Sequence, residues 1–316
     1  MSLSFVLLAA VKVGIIGLDT SHTLAFTQIM NVDKPAFAQG FQVTAAYQWG
    51  SKDIYSSTNR YPAYTAEMKK MGVRIVPTID ELLKEVDCVC LETNDGREHL
   101  WQAKKVFASG KRVFIDKPLA ADLRDSAAIV REAERTGASF FSASCLRFGK
   151  VAAAARRGEY GPVRGAFTMT PEEFEPTHSD YYWYAIHGAE HLYAFMGRGC
   201  ENVTTVATAD GDMMVGRWKD GRIGSVLALQ AAQYEIGFRG TVTLARKTDS
   251  IIDAGTNEGY LPLLKEVLQF FKTGVAPVSP KETLEVMAFL EAARVSRARG
   301  GKTVWLAEVL EACEDR

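Results

Sequence analysis

VKVGIIGLDTSH, residues 11–22, is an apolar run that ends in a glycine and passes into Thr20, Ser21 and Thr23, three residues suited to capping a helix. Strand, glycine turn and helix in that order form the first unit of a parallel α/β sheet. This is also where a G-x-G-x-x-G dinucleotide loop sits. Of that loop's three glycines only Gly17 is present, with Asp19 and His22 at the second and third positions. The second glycine lets backbone approach a pyrophosphate, and the third lets the helix pack on the strand. A carboxylate about 4 Å from a phosphate, at an effective dielectric near 20, costs about 4 kcal/mol. That is roughly a thousandfold in affinity. Dinucleotide binding therefore survives only if Asp19 turns away, for instance by capping its own turn. On the alternative reading, Asp19, Thr20 and Ser21 are capping residues and nothing more.

Outward from this stretch the strand and helix signals keep alternating. FQVTAAYQ (41–48), DCVCLET (87–93), KRVFIDKP (111–118) and ASFFSASCLRF (138–148) read as strands. TIDELLKEV (78–86), REHLWQAKKVFASG (97–110) and LRDSAAIVREAERTG (123–137) read as helices. From about residue 160 the pattern changes to consecutive strands: GPVRGAFTMTP, NVTTVATAD, DMMVGRWKDGRIGSVLALQ with an Asp-Gly hairpin turn, and FRGTVTLAR. Two helical stretches close the chain, YLPLLKEVLQFFKTG and PKETLEVMAFLEAARVSRARG. The fold class is α/β: a doubly wound parallel sheet over residues 1–122, then an α+β domain over 123–316 with a large, open, mostly antiparallel sheet.

The 316 residues suffice for two ordinary domains, and the net charge of -1 offers no field for nucleic acid or an anionic membrane. No apolar run has the length of a membrane span. The opening MSLSFVLLAA lacks the basic residues of a secretory leader and reads as a lead into the first strand. The cysteines, Cys88, Cys90, Cys145, Cys200 and Cys313, form no C-x-x-C pair and are odd in number, which suggests reduced thiols and a cytoplasmic protein. One face of an open second sheet needs covering, so a homo-oligomer, dimer or tetramer, is expected.

VKVGIIG, FASGKRVFIDKPLA (107–120), YYWYAIHGAEHLYAFMG (181–197) and the closing helical stretches together resemble the glucose–fructose oxidoreductase / inositol dehydrogenase / MocA (Gfo/Idh/MocA) family. The resemblance runs through nearly the whole chain in the right order. It implies a Rossmann domain, a second domain with an open sheet, and NAD- or NADP-dependent oxidation of a sugar, polyol or related hydroxy compound. The family's Glu-Lys-Pro motif falls on Asp116, Lys117 and Pro118. Its Asp-x-x-x-His motif falls on His187 and His191, which would make His191 the proton acceptor.

The residues themselves allow this chemistry. A lysine leaving a strand end beside a cleft, Lys117, can lower the pKa of a substrate hydroxyl or hold a forming oxyanion. A histidine near neutral pKa can take the proton as hydride leaves. His187 and His191 are four apart and share a helical face. Cofactor contacts are expected from Gly17, Asp19, Thr20, Ser21, His22, Gln48, Thr93, Asn94, His99, Asp116 and Pro118. Gln48 stands where a dinucleotide site usually has an acid for the ribose hydroxyls, and Ser51 and Lys52 could meet a 2′-phosphate, so NAD and NADP remain open. Arg147, His178 and Tyr184 are expected to reach a small-molecule substrate, although Arg147 serves equally as a salt bridge between domains. No metal is expected. The competing reading is a non-redox member of the fold, a metal-assisted lyase or hydrolase or a binding protein, with His187 and His191 joined by His178, Asp180 or Glu190.

Overall fold

In the computed structural model, the described residues are 10–230, 236–244 and 251–314. The opening apolar stretch, residues 1–9, lies outside them, as do residues 245–246 at the end of the fourth expected strand segment of the second half. The apolar run at Val11–Ile16 is β1, buried over its last four residues. It is followed by α1 (Ser21–Thr27), which continues as a π-helical turn over Gln28–Asp33. Then come β2 (Phe41–Tyr47), α2 (Tyr55–Lys70), β3 (Arg74–Val76), α3 (Ile79–Glu85), β4 (Cys88–Leu91), α4 (His99–Ala108), β5 (Arg112–Ile115), α5 (Leu123–Thr136) and β6 (Phe140–Ser142). These six strands form one parallel sheet in the order β3-β2-β1-β4-β5-β6. The chain winds one way from β1 to β3 and the other way from β4 to β6. The crevice of such a sheet opens at the carboxyl ends of β1 and β4, where the order reverses.

The parallel sheet includes β6, so it extends past the boundary expected at residue 122. The strand expected over 138–148 is shorter than its apolar run. Ser144 accepts a hydrogen bond from the Leu146 N–H and starts a 3-10 turn at Cys145–Phe148. Helix α2 carries Pro62 in its interior, and its mixed polar sequence shows little helical periodicity.

The second half contains α6 (Lys150–Arg156), β7 (Val163–Pro171), α7 (Ile186–Met196), β8 (Cys200–Ala207), β9 (Gly211–Trp218), β10 (Ile223–Leu229), β11 (Arg239–Leu244), β12 (Ile251–Asp253), α8 (Leu261–Thr273), α9 (Pro280–Ala298), β13 (Val304–Trp305) and α10 (Leu306–Glu314). Its strands form a mixed, mostly antiparallel sheet in the order β12-β11-β7-β10-β9-β8-β13, with one parallel pair, β7 and β10. The expected Asp-Gly hairpin joins β9 to β10, with Gly221 at φ 86. Ala166, Thr168 and Thr170 of β7 are buried toward α7, and Thr168 donates its hydroxyl proton to the Gly188 carbonyl. The alternate residues of the sheet face the other way, where Val206 and Ile223 are 60% and 58% exposed.

Gly188 sets how closely α7 lies on this sheet. A Cβ there would stand 2.7 Å from Val226 Cγ1 and 2.8 Å from Thr170 Cγ2. Both neighbours are β-branched and stiff, so neither can give way easily. Gly188→Ala is expected to destabilise the fold by about 1–3 kcal/mol despite alanine's better helix propensity. Urea denaturation would read this as a lower midpoint at constant slope.

Candidate active site

The site is built from the turn after β1. Gly17 has φ +88, and a Cβ on it would lie 2.4 Å from the backbone of Thr93. Only glycine allows the β1–α1 turn to close against the end of β4. Asp19 follows, with no exposed surface. Its carboxylate does not cap its own turn. Oδ2 accepts from the Ser57 hydroxyl at 2.6 Å and Oδ1 from the Asn94 backbone N–H at 2.9 Å. Burial pushes its pKa up to about 6 against the pull of those two donors. The charge expected to oppose a phosphate is thus held inside the protein. Thr20 borders the cleft with its buried hydroxyl oxygen unpartnered and caps no backbone N–H of α1. These features fit a dinucleotide cradle with the second glycine replaced.

Three ionisable side chains meet at the neighbouring strand ends. His22 comes from the first turn of α1, Glu92 from the end of β4 and Asp116 from the end of β5. His22 Nδ1 stands 2.9 Å from Asp116 Oδ2 and 3.4 Å from Glu92 Oε2. Burial alone would lower the imidazole's pKa, but the two carboxylates outweigh it and hold it well above its ordinary value. Burial and the nearby Asp116 charge push Glu92 up to about 7. His22 is fixed by ring stacking on Phe26 at 5.2 Å and by an edge contact with Tyr260 at 4.5 Å.

The cleft above them has a volume of about 180 Å³, smaller than the roughly 300–1,000 Å³ typical of small-molecule sites. Ser21, Asn94, Lys117, Pro118, Tyr184 and His187 border it, together with Thr20, His22 and Asp116. Ser21 shares a 2.8 Å hydrogen bond with the Tyr260 hydroxyl, and Asn94 donates its side-chain N–H to Ser56. The Lys117 ammonium lies 5.7 Å from the Tyr184 ring centroid. Burial pushes Lys117 down from the ordinary lysine value, against the upward pull of Asp116. His187 Nδ1 is 2.7 Å from the Ser144 hydroxyl, and burial followed by the Lys117 charge holds its imidazole well below its usual pKa.

Other expected residues lie elsewhere. His191, one turn beyond His187, is buried outside the cleft. Its Nε2 meets the Ala254 carbonyl at 3.1 Å, and burial pushes its pKa down to about 4. His99 is fully buried, with Nδ1 3.0 Å from the Leu119 carbonyl and Nε2 2.7 Å from the Thr93 carbonyl, away from the cleft lining. Thr93 turns its hydroxyl to Gln102, and Gln48 is exposed beyond β2. Arg147 is 2% exposed and paired with Glu190 and Glu282, so the salt-bridge reading describes it and the substrate reading does not. His178 accepts the Gly96 N–H at Nε2, 3.0 Å, and pairs with Thr177 at Nδ1. His178, His187 and His191 therefore make no common metal site. Ser51 donates to Asp95, and Arg97 binds Asp53 and Asp95. Sequence reasoning missed Glu92, Ser56, Arg60, Cys145 and Tyr260. They stand next to β4, on α2, after β6 and before α8, where no motif marks them.

Residues 11–144 match the family model described as "Oxidoreductase family, NAD-binding Rossmann fold", Gfo/Idh/MocA. The N-terminal sheet domain is therefore similar to that family. No curated protein matches the chain. Among solved structures it is similar to a probable dehydrogenase from Thermotoga maritima, at 19% identity and TM-score 0.71, covering 95% of this chain and 100% of that one. It is also similar to scyllo-inositol dehydrogenase from Lactobacillus casei with bound NAD(H) and scyllo-inositol, at 14% identity and TM-score 0.71, covering 94% and 99%. A third is an oxidoreductase from Agrobacterium radiobacter in complex with NAD+, L-tartaric acid and magnesium, at 15% identity and TM-score 0.71, covering 95% and 100%. At these identities the likeness establishes the fold over both halves of the chain.

Two outcomes follow from the buried charges. Arg147→Met leaves Glu190 without its main partner and is expected to cost about 3–5 kcal/mol in chemical denaturation. Burial holds the folded-state pKa of His178 down to about 4 from an ordinary 6.5. Between those values the unfolded chain carries the extra proton, so stability falls as pH drops from 6.5 toward 4. Thermal melts across that range should show the loss, and His178→Gln should reduce it only in part, because the buried His187 and His191 are shifted in the same direction.

Proposed function

We propose that the protein is an NAD-dependent dehydrogenase that oxidises a CH–OH group of a small polar compound such as a sugar or polyol. The observation that carries this reading is the placement of Lys117 and His187 on one cleft that also borders the Gly17–His22 turn. When bound, the nicotinamide supplies the hydride acceptor. Lys117 reaches the cleft from the end of β5 and holds the substrate oxygen by a charge-assisted hydrogen bond. That bond strengthens as negative charge grows on the oxygen. His187, kept neutral by its surroundings, takes the hydroxyl proton. With Nδ1 held by the Ser144 hydroxyl, the tautomer protonated at Nδ1 leaves Nε2 to accept. Tyr184 forms a flat wall for the carbon skeleton. His187 thus takes the role first assigned to His191.

The cofactor preference follows from the end beyond β2. Asp53 and Asp95 are gathered there around Arg97, and Ser51 is committed to Asp95. The carboxylates oppose a 2′-phosphate and the guanidinium is already occupied, which favours NAD over NADP. The outward face of the second sheet, with Val206 and Ile223 exposed, supports assembly into a homo-oligomer. No helix among the described residues is long and apolar enough to cross a membrane, and the five cysteines are unpaired, which suits a reducing cytoplasm.

Calorimetric titration with NADH and NADPH tests the cofactor reading, with micromolar NADH binding and weaker NADPH binding as the expected result. A sugar and polyol screen then identifies substrates. Lys117→Met and His187→Asn are each expected to lower kcat by about 10²–10⁴-fold. His191→Gln should leave turnover close to that of the unaltered protein. No NADH binding at millimolar concentration would overturn the reading.

A further inference from the structure

Glu92 is the least satisfied charged group at the strand ends. It has no exposed surface, and no hydrogen-bond donor among the described residues meets either of its carboxylate oxygens. A buried, unsatisfied carboxylate is costly unless a cation is close. The neighbour that faces it is His22 Nδ1, itself without a hydrogen bond of good geometry although Asp116 Oδ2 is 2.9 Å away. The three side chains each offer one ligand atom, and those atoms lie within 4.8 Å of one another. All three are buried, at 5% exposure for His22, 0% for Glu92 and 2% for Asp116.

That spacing is close to what a metal ion demands. Ligand atoms about 2.1 Å from a tetrahedral ion lie about 3.4 Å apart. His22 to Glu92 is 3.4 Å and His22 to Asp116 is 2.9 Å. The charges also balance. A neutral imidazole with two carboxylates carries two negative charges, which one divalent ion cancels. One imidazole nitrogen and two carboxylate oxygens suit Zn²⁺ or Mn²⁺ better than the all-oxygen preference of Mg²⁺ or Ca²⁺.

We propose that His22 Nδ1, Glu92 and Asp116 form a binding site for one divalent transition-metal ion, Zn²⁺ or Mn²⁺, at the floor of the cleft. His22 and Asp116 border the cleft while Glu92 anchors from beneath. Three protein ligands leave a coordination position open toward the cleft, the arrangement of catalytic rather than structural ions. An oxygen of a ligand in the cleft completes the shell and is polarised there, within reach of the same cavity as Lys117. His22 is held for this by Phe26 on one ring face and Tyr260 at its edge, so its orientation does not depend on the ion. The site stands on these three side chains alone, and the NADH titration neither supports nor undermines it.

The test uses the full chain, stripped with a chelator, dialysed, and titrated calorimetrically with ZnCl₂ and separately with MnCl₂. The expected result is one ion per chain at micromolar affinity or tighter for at least one metal, with a matching rise in melting temperature. Glu92→Gln and Asp116→Asn, each checked for folding by circular dichroism, should weaken binding at least tenfold. Should either variant fail to fold, the visible absorption of Co²⁺ added to the unaltered protein and to His22→Gln decides: an intense low-coordinate spectrum in the first and none in the second supports the site. No heat and no melting shift at millimolar metal overturns the proposal. So does one-equivalent binding that the variants leave unchanged, or a Co²⁺ spectrum that His22→Gln retains.

Discussion

The contact of the β1–α1 turn with the end of β4 is the constraint on which the rest of the molecule's chemistry depends. Gly17 presses against the Thr93 backbone, and Asp19 reaches across to the Asn94 N–H and the Ser57 hydroxyl. One glycine without a side chain and one carboxylate with two donors lock three segments: the first turn, the β4 exit and the start of α2. Because α1 begins immediately afterwards, its first turn can only rise over the ends of β4 and β5. That is why His22 comes to rest between Glu92 and Asp116.

A charge where a glycine is expected thus acts in an unexpected way. In solvent beside a phosphate, the Asp19 carboxylate would repel it. Buried, with its pKa moved up to about 6 by desolvation, it serves as a structural clamp and leaves the uncharged Thr20 and Ser21 of the turn to face the cleft. The burial costs free energy, and the two hydrogen bonds offset it. Asp19 has exchanged the glycine's role, close backbone approach, for a fixed anchor of the loops on either side of the crevice.

The second domain supplies the other wall by the same kind of close approach. Gly188 lets α7 settle on β7 and β10, and this brings His187 and Tyr184 to face Lys117. Buried Arg147 pairs with buried Glu190 and with the part-exposed Glu282, which links the segment after β6 to α7 and α9, and the Arg147–Glu190 pair is little screened by water. His187 and Glu190 lie on the same helix, one used at the cleft and the other in the interior.

By itself the sequence determined the layer architecture, since apolar runs bounded by glycines and capping residues alternate with helical periods in the first half and follow one another in the second. It also determined that Lys117 leaves a strand end, because the strand pattern of KRVFIDKP stops at a proline. The replacement of two loop glycines was equally plain. Tertiary structure alone decided which way Asp19 points, since its partners Ser57 and Asn94 are 38 and 75 residues away in the chain. It alone separated His187 from His191, because four residues along a helix share a face only approximately and one turn of depth divides a cleft wall from a buried interior. It alone made Glu92 a partner of His22: nothing in LETNDGREH distinguishes that glutamate until the order of strands in the sheet sets β1, β4 and β5 side by side.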